Sequence, residues 1–165
     1  MKDYSIAYWT SPIGNMKIIA SKIGITNIEF CEKISSKTTE SENPLLKMCI
    51  AQLSEYFSGE RKSFDIRLDF TGTADFYQDV WKAVKLIPHG KTRSYSDIAK
   101  LIGHPKAQRA VGLANGKNPI PVIVPCHRVI GKNGNLTGYA YGIELKQKLL
   151  EMENPAKYAQ PASLF

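Results

Sequence analysis

The sequence predicts a mixed α/β chain of the α+β kind, with a small N-terminal sheet and helix followed by a mostly helical C-terminal half carrying a helix-turn-helix. Three observations carry that reading. β-rich runs are confined to the first seventy residues, helical periodicity dominates after them, and glycine or proline punctuates nearly every change. At 165 residues, 43% hydrophobic and 22% charged, the chain is long and apolar enough to bury a core.

Residues 4–9, 16–20 and 25–30 are rich in β-branched and aromatic side chains, and Gly14-Asn15 and Gly24 separate them, so a meander is the simplest arrangement. Residues 33–43 are polar and read as a loop. Asn43 then suits an N-cap and Pro44 the first helical position. Leu46, Cys49, Ile50, Leu53 and Phe57 recur at helical spacing behind them, and Gly59 stops the run. Residues 63–70 alternate, with Phe64, Ile66, Leu68 and Phe70 on one side, as a half-buried strand would.

Residues 71–73 mark a boundary, giving domains 1–72 and 73–165. Phe76, Val80, Trp81, Val84 and Ile87 form a helical stripe closed by Pro88-His89-Gly90. Ser94-x-x-Asp97 resembles a capping box, with Tyr95, Ile98, Ala99 and Ile102 following and Gly103 as the stop. Pro105 opens a further helix over 106–115, ended by Gly116. The pair has the length and punctuation of a helix-turn-helix, and equally of an ordinary helical hairpin. Ala107, Ala110, Gly112 and Ala114 make the second helix small-surfaced, with Arg109 its central long cation. Such a surface suits tight helix packing or insertion into a DNA groove. An extended run between prolines, 118–125, leads into Cys126. Residues 129–130 and 136–137 pair as a small hairpin around the turn 131–134. A last helix over 144–153 turns Leu145, Leu149, Leu150 and Met152 inward, and the tail from Asn154 carries no clear element.

Charge narrows the function. Residues 1–70 hold nine basic and nine acidic side chains and residues 71–165 hold thirteen and six, so the net +7 lies entirely in the second domain. A polyanion, nucleic acid above all, suits such a field; a solvated lysine-rich surface is the plainer reading. No apolar run is long enough to span a bilayer, and Met1-Lys2-Asp3-Tyr4 lacks the apolar core of a secretory signal. A soluble cytoplasmic monomer is expected. Three cysteines with no C-x-x-C pair argue against a disulfide framework and a zinc site, so neither metal nor cofactor is expected.

Cys126 is the focus of any chemistry. His127 and Arg128 beside it supply a base and a positive field that favour the thiolate, although a buried structural thiol fits the same letters. Cys49 lies on an apolar helix face and Cys31 at a strand end, both structural. His89 and His104 sit in turns. Tyr95 and Tyr139 are core aromatics or hydrogen-bonding partners of a base. Glu153 is a solvated helix-end carboxylate or, if buried, needs a partner, His127 first.

Residues 125–129 (Pro-Cys-His-Arg-Val), with Asn118-Pro119 before and Gly138-Tyr139 after, resemble the active-site signature of the O6-alkylguanine-DNA alkyltransferases. Phe76-x-x-x-Val80-Trp81, Ile87-Pro-x-Gly90, Ser94-Tyr95, Arg109-Ala-Val-Gly112 and Lys146-x-x-Leu149-Leu150-x-x-Glu153 fall in the family's order and spacing, over nearly all of 73–153. The first 72 residues resemble more loosely its companion domain of ribonuclease-H-like topology.

The resemblance implies direct reversal of DNA damage: an alkyl group passes from O6 of guanine to Cys126, once per molecule, and leaves open whether O4 of thymine is a further substrate. It implies that His127 activates the thiol through a water and that Glu153 orients His127. Asn118 braces the turn, and Tyr95 donates to a ring nitrogen of the flipped guanine. The carbonyls of Cys126 and Val129 receive the exocyclic amine and the Ala140 amide meets O6, with Tyr139 beside them. Arg109 fills the gap left by the extruded base, and the helix bearing Ala107, Ala110 and Ala114 lies in the minor groove of double-stranded DNA, with Arg128 adding to the binding surface. Ala140 stands where some members carry serine, and bulky Tyr141 beside it shapes the range of alkyl groups admitted. Two other readings stand beside this one. A lesion-binding relative would flip and flag the base without chemistry, and the acceptor cysteine disfavours it. A cysteine hydrolase would leave the basic helix pair without a role, and no oxyanion-type glycine turn adjoins Cys126.

Overall fold

The computed structural model of the protein describes residues 3–33 and 42–158. Strands β1 (Ser5–Ser11), β2 (Gly14–Ala20) and β3 (Ile25–Cys31) form an antiparallel meander in the order β1-β2-β3, as the spacing predicts. The register pairs Ala7 with Ile18 and Ile18 with Ile28, which turns Ala7, Met16, Ile18, Ile25 and Ile28 into the core. Helix α1 (Pro44–Phe57) covers them, its first amides held by Asn43, whose Oδ1 accepts from Leu45 N at 2.8 Å and Leu46 N at 3.3 Å. It buries Leu46, Cys49, Leu53 and also Tyr56, while the expected Ile50 and Phe57 stay half-buried. Most of the predicted loop before it, 34–41, lies outside the described residues.

Residues 63–70 depart from expectation. The burial alternates, with Ile66 inside and Ser63, Asp65 and Arg67 out, yet among the described residues only one bridge forms, between Leu68 and Ile25. The Gln52 side chain of α1 takes the place of a neighbouring strand: its Oε1 accepts from Asp65 N at 2.9 Å and its Nε2 donates to Asp65 O at 3.2 Å. A single glutamine satisfies backbone that a ladder would otherwise pair. At the bridge the chains meet very closely, for a Cβ on Gly24 would stand 2.6 Å from Arg67 O. Gly24→Ala will therefore lower stability by about 1–3 kcal/mol, because backbone rather than a flexible side chain must move; urea denaturation measures this, and an unchanged midpoint would contradict it.

In the second half, α2 (Asp75–Lys85) buries Val80, Trp81 and Val84, and the Trp81 indole donates to Ala114 O at 2.8 Å. Helix α3 (Tyr95–Leu101) begins with the predicted capping box of Ser94 and Asp97. Gly103, at φ +81, ends it in the left-handed region. Helix α4 spans Gln108–Gly116, starting two residues later than the sequence suggests. Pro105 sits in the intervening turn, where Ala107 N donates to His104 O at 2.9 Å, and Ala107 is not yet helical. Strands β4 (Arg93–Ser94) and β5 (Val129–Ile130) pair in parallel, so residues 129–130 do not form the expected hairpin with 136–137. Helix α5 (Ile143–Glu153) buries Lys146, Leu149, Leu150 and Glu153. Met152, expected inside, is 37% exposed because it lies off that stripe. The tail, expected to lack structure, starts with a short helix α6 (Pro155–Tyr158).

The chain forms two compact units. One runs to Thr73 and also takes in Pro119–Ile123; the other holds Ala74–Asn118 and the chain from Val124 onward. Within the first, Ile28 N donates to Pro119 O at 2.9 Å. Val122 in this excursion is buried at φ 75, a conformation a β-branched residue adopts only when its surroundings impose it. No helix among the described residues is long and apolar enough to cross a membrane.

Candidate active site

Prolines and asparagines fix Cys126. Pro125, at φ −81 and ψ 65, centres an inverse γ-turn in which Cys126 N donates to Val124 O at 2.8 Å. Cys126–Arg128 is then one turn of 3-10 helix rather than strand, which frees Cys126 and His127 from pointing to opposite faces of an extended chain. Two side chains at the end of α4 fasten the turn. Asn118 Nδ2 donates to Val124 O at 2.8 Å, and Asn115 Nδ2 donates to Cys126 O at 3.2 Å. Asn115 is a site residue the sequence reading missed; its signal is its i, i+3 spacing from Asn118 around Gly116.

The parallel ladder β4–β5 sets Tyr95, the residue after β4, beside this turn. A cavity of about 370 Å³ opens there, lined by Tyr95, Gly112, Asn118, Cys126, Tyr139 and Tyr141 among others, within the range of small-ligand sites. Ala140 is also in its wall, and the rings of Tyr139 and Tyr141 meet edge to face at 5.5 Å. Burial pushes the Cys126 thiol up, while the Asn118 side chain, the Tyr139 hydroxyl and the Lys146 ammonium pull the other way. At neutral pH the sulfur therefore rests as a thiol and needs a base.

His127, next in the chain, is the candidate. His127 is fully buried, and its Nε2 lies 2.8 Å from Glu153 Oε2. Arg128 forks onto the same carboxylate, Nε to Oε1 at 2.9 Å and Nη2 to Oε2 at 2.8 Å, and its Nη1 donates to Ile87 O at 2.7 Å. Burial alone would raise the Glu153 carboxyl, but the His127 and Arg128 bonds hold it well below the usual carboxylate range. Burial keeps His127 below its ordinary value and neutral. Facing an anion, Nε2 must carry the imidazole proton, which leaves Nδ1 as a free lone pair. Nδ1 is buried with no hydrogen-bond partner among the described residues.

Arg128 is corrected by this geometry: expected on the DNA-binding surface, it is 5% exposed and serves to charge Glu153. Ala114 is corrected too. It follows Val111 by three residues on the stripe facing α2 and is fully buried, whereas Arg109 and Ala110 are exposed and Ala107 is half-exposed. Val129 is fully buried, and its carbonyl accepts from Lys146 Nζ at 2.7 Å. Lys146, also missed, is itself fully buried and donates to Thr137 O at 3.0 Å; burial lowers its ammonium to about 8. Of the thirteen basic side chains in residues 71–165, only Arg128 and Lys146 are buried.

Comparison with known proteins agrees across both halves. Residues 75–155 match the family described as 6-O-methylguanine DNA methyltransferase, DNA binding domain, and residues 5–70 match its ribonuclease-like domain. A methylated-DNA–protein-cysteine methyltransferase of Methanosarcina acetivorans is 49% identical over 151 residues, covering 89% of this chain and 96% of the relative. One from Mycobacterium tuberculosis is 50% identical over 157 residues, 93% of each. The crystal structure of Mycobacterium tuberculosis OGT in complex with DNA superposes with a TM-score of 0.81 at 47% identity, over 94% of this chain and 95% of that one. The chain belongs to the methylated-DNA–protein-cysteine methyltransferase family.

Proposed function

We propose that the protein repairs double-stranded DNA by taking the alkyl group of an O6-alkylguanine onto Cys126, once per molecule. The observation that supports this best is the thiol at the wall of a base-sized cavity beside a neutral histidine whose proton is tied to Glu153. An O6 substituent cannot be reached inside a duplex, so the nucleotide must be extruded at a cost of a few kcal/mol. The exposed lysines and arginines of the second unit hold phosphates without reading sequence. Helix α4 presents Arg109 and Ala110 to the groove, and Arg109 occupies the place of the extruded base.

Inside the cavity, Tyr95 donates to a ring nitrogen of the purine and the Ala140 amide meets O6. The carbonyls of Cys126 and Val129 receive the exocyclic amine. Val129 O also accepts from Lys146, whereas Cys126 O already accepts from both Asn115 Nδ2 and Val129 N, so its contact with the amine is a shared one. His127 Nδ1 takes the thiol proton through a water. Sulfur then attacks the alkyl carbon, the S–C bond forms as the C–O bond breaks, and the departing guanine anion recovers that proton. The histidinium formed on the way is stabilised by Glu153. A thioether has no facile leaving group, so the protein ends alkylated.

Intact-mass spectrometry after incubation with a methylated duplex will show one methyl added at Cys126, scaling one to one with DNA repaired. Continued repair at substoichiometric protein would refute the single turnover. Tight binding of the methylated duplex with Cys126 unmodified would favour a module that only flags the lesion.

A further inference from the structure

We infer that Thr137 is a positioning residue for the transfer, setting the direction of the Tyr95 hydroxyl; this rests on the role proposed for Tyr95 above. Thr137 Oγ1 donates to Tyr95 Oη at 3.2 Å. A phenol has one proton and two lone pairs. With one lone pair filled by the threonine, the proton of Tyr95 is left for a base in the cavity.

Both partners of this bond are anchored, directly or through Lys146, to Val129. Tyr95 follows β4, whose Arg93 and Ser94 pair with Val129 and Ile130. Thr137 is held through its carbonyl by Lys146 Nζ, whose other bond is to Val129 O. Lys146 has no exposed surface, whereas Thr137 is exposed and its bond to Tyr95 lies on the open side of the cavity. The Tyr95 ring also lies against α4, where a Cβ on Gly112 would stand 3.8 Å from it. The oxygen of Tyr95 is thus fixed by its ring and backbone, and the rotation of its O–H remains for Thr137 to decide. The hydroxyl pair lines the cavity beside Cys126, and a buried ammonium holds the carbonyl of one member.

The test is single-turnover methyl transfer from a methylated duplex at saturating DNA, with DNA affinity and thermal melting measured in parallel. Thr137→Val keeps the side-chain shape and removes the hydroxyl. It will slow transfer about three- to tenfold, the size of one modest hydrogen bond, with affinity and melting temperature unchanged. Thr137→Ser will restore the wild-type rate. In a Tyr95→Phe background, Thr137→Val will have no further effect, since the two changes remove one interaction. Equal slowing in both backgrounds, loss of rate in the serine variant, or no slowing in the valine variant would each overturn the assignment. Those results require a wild-type protein that takes up methyl; a wild type that takes up none overturns the alkyl-transfer reading and this inference with it.

Discussion

Cys126→Ser will bind methylated duplex as the wild type does and take up no methyl, its rate lowered on the order of 10⁴-fold or more. The substitution is nearly isosteric at a site only 4% exposed, so the γ-turn at Pro125 and the Asn118 brace persist. What changes is the nucleophile. His127, neutral and hydrogen-bonded to Glu153, draws a proton readily from a thiol, whereas an alcohol is a far weaker acid and its oxygen a much poorer nucleophile toward an alkyl carbon. Intact mass after long incubation reads the chemistry and a mobility-shift titration reads the binding. Methyl found on another cysteine of the variant would contradict the assignment, and the structure argues against it: Cys49 lies buried on α1 with its thiol pushed up to about 12 by desolvation.

Glu153→Gln will both slow alkyl transfer by about 10²–10⁴-fold and cost the fold about 3 kcal/mol. The kinetic effect follows from tautomers. Glutamine can present an NH₂ to Nε2, which drives the imidazole proton to Nδ1 and removes the lone pair that would deprotonate the thiol. The stability effect follows from Arg128, which is buried and loses the anion it grips with two nitrogens. The pH dependence has a definite sign. Glu153 titrates below its unfolded value, so its stabilisation is present above about pH 4 and is lost as pH falls toward the folded value. The gap between wild type and variant will therefore narrow as pH drops below about 4. His127 adds a second limb: held neutral when folded, it costs stability as pH falls below about 6.5, where the unfolded chain gains the proton first. Urea denaturation across pH and rapid-quench transfer assays measure both effects, and a variant of unchanged rate would remove Glu153 from the mechanism.

Much of the fold follows from local signals. The meander, the Asn43 cap and the Ser94–Asp97 box each depend on a handful of adjacent residues, and the structure reproduces them. Residues 63–70 misled because alternation reports which side is buried, while the partner that satisfies the backbone, Gln52, is set by tertiary packing. Val129–Ile130 misled for the same reason: a tight turn follows it, but its partner is β4, some 35 residues upstream. In the site, Cys126 stands out by its proline frame. Lys146 and Glu153 are charged residues on the i, i+3, i+4, i+7 stripe of Leu149 and Leu150, a legible sign that something buried must pair with them. Arg128 carries no such sign, because its three-residue turn has no periodicity from which to read its facing.

The excursion at 119–123 makes the repair site hostage to a sheet that carries none of its chemistry. Asn118 and Val124 close its neck at 2.8 Å, and Pro119–Ile123 between them belongs to the compact unit of the first seventy-three residues, bonded to β3 through Ile28 N and Pro119 O. A methyl-sized misfit under Ile120 or Val122, both without exposed surface, is transmitted along two covalent links to the amide that steadies Cys126. Drift in the N-terminal sheet will accordingly surface as altered alkylation speed before it surfaces as unfolding, and a fragment severed after Thr73 will keep the lettering of the reactive turn without its foundation.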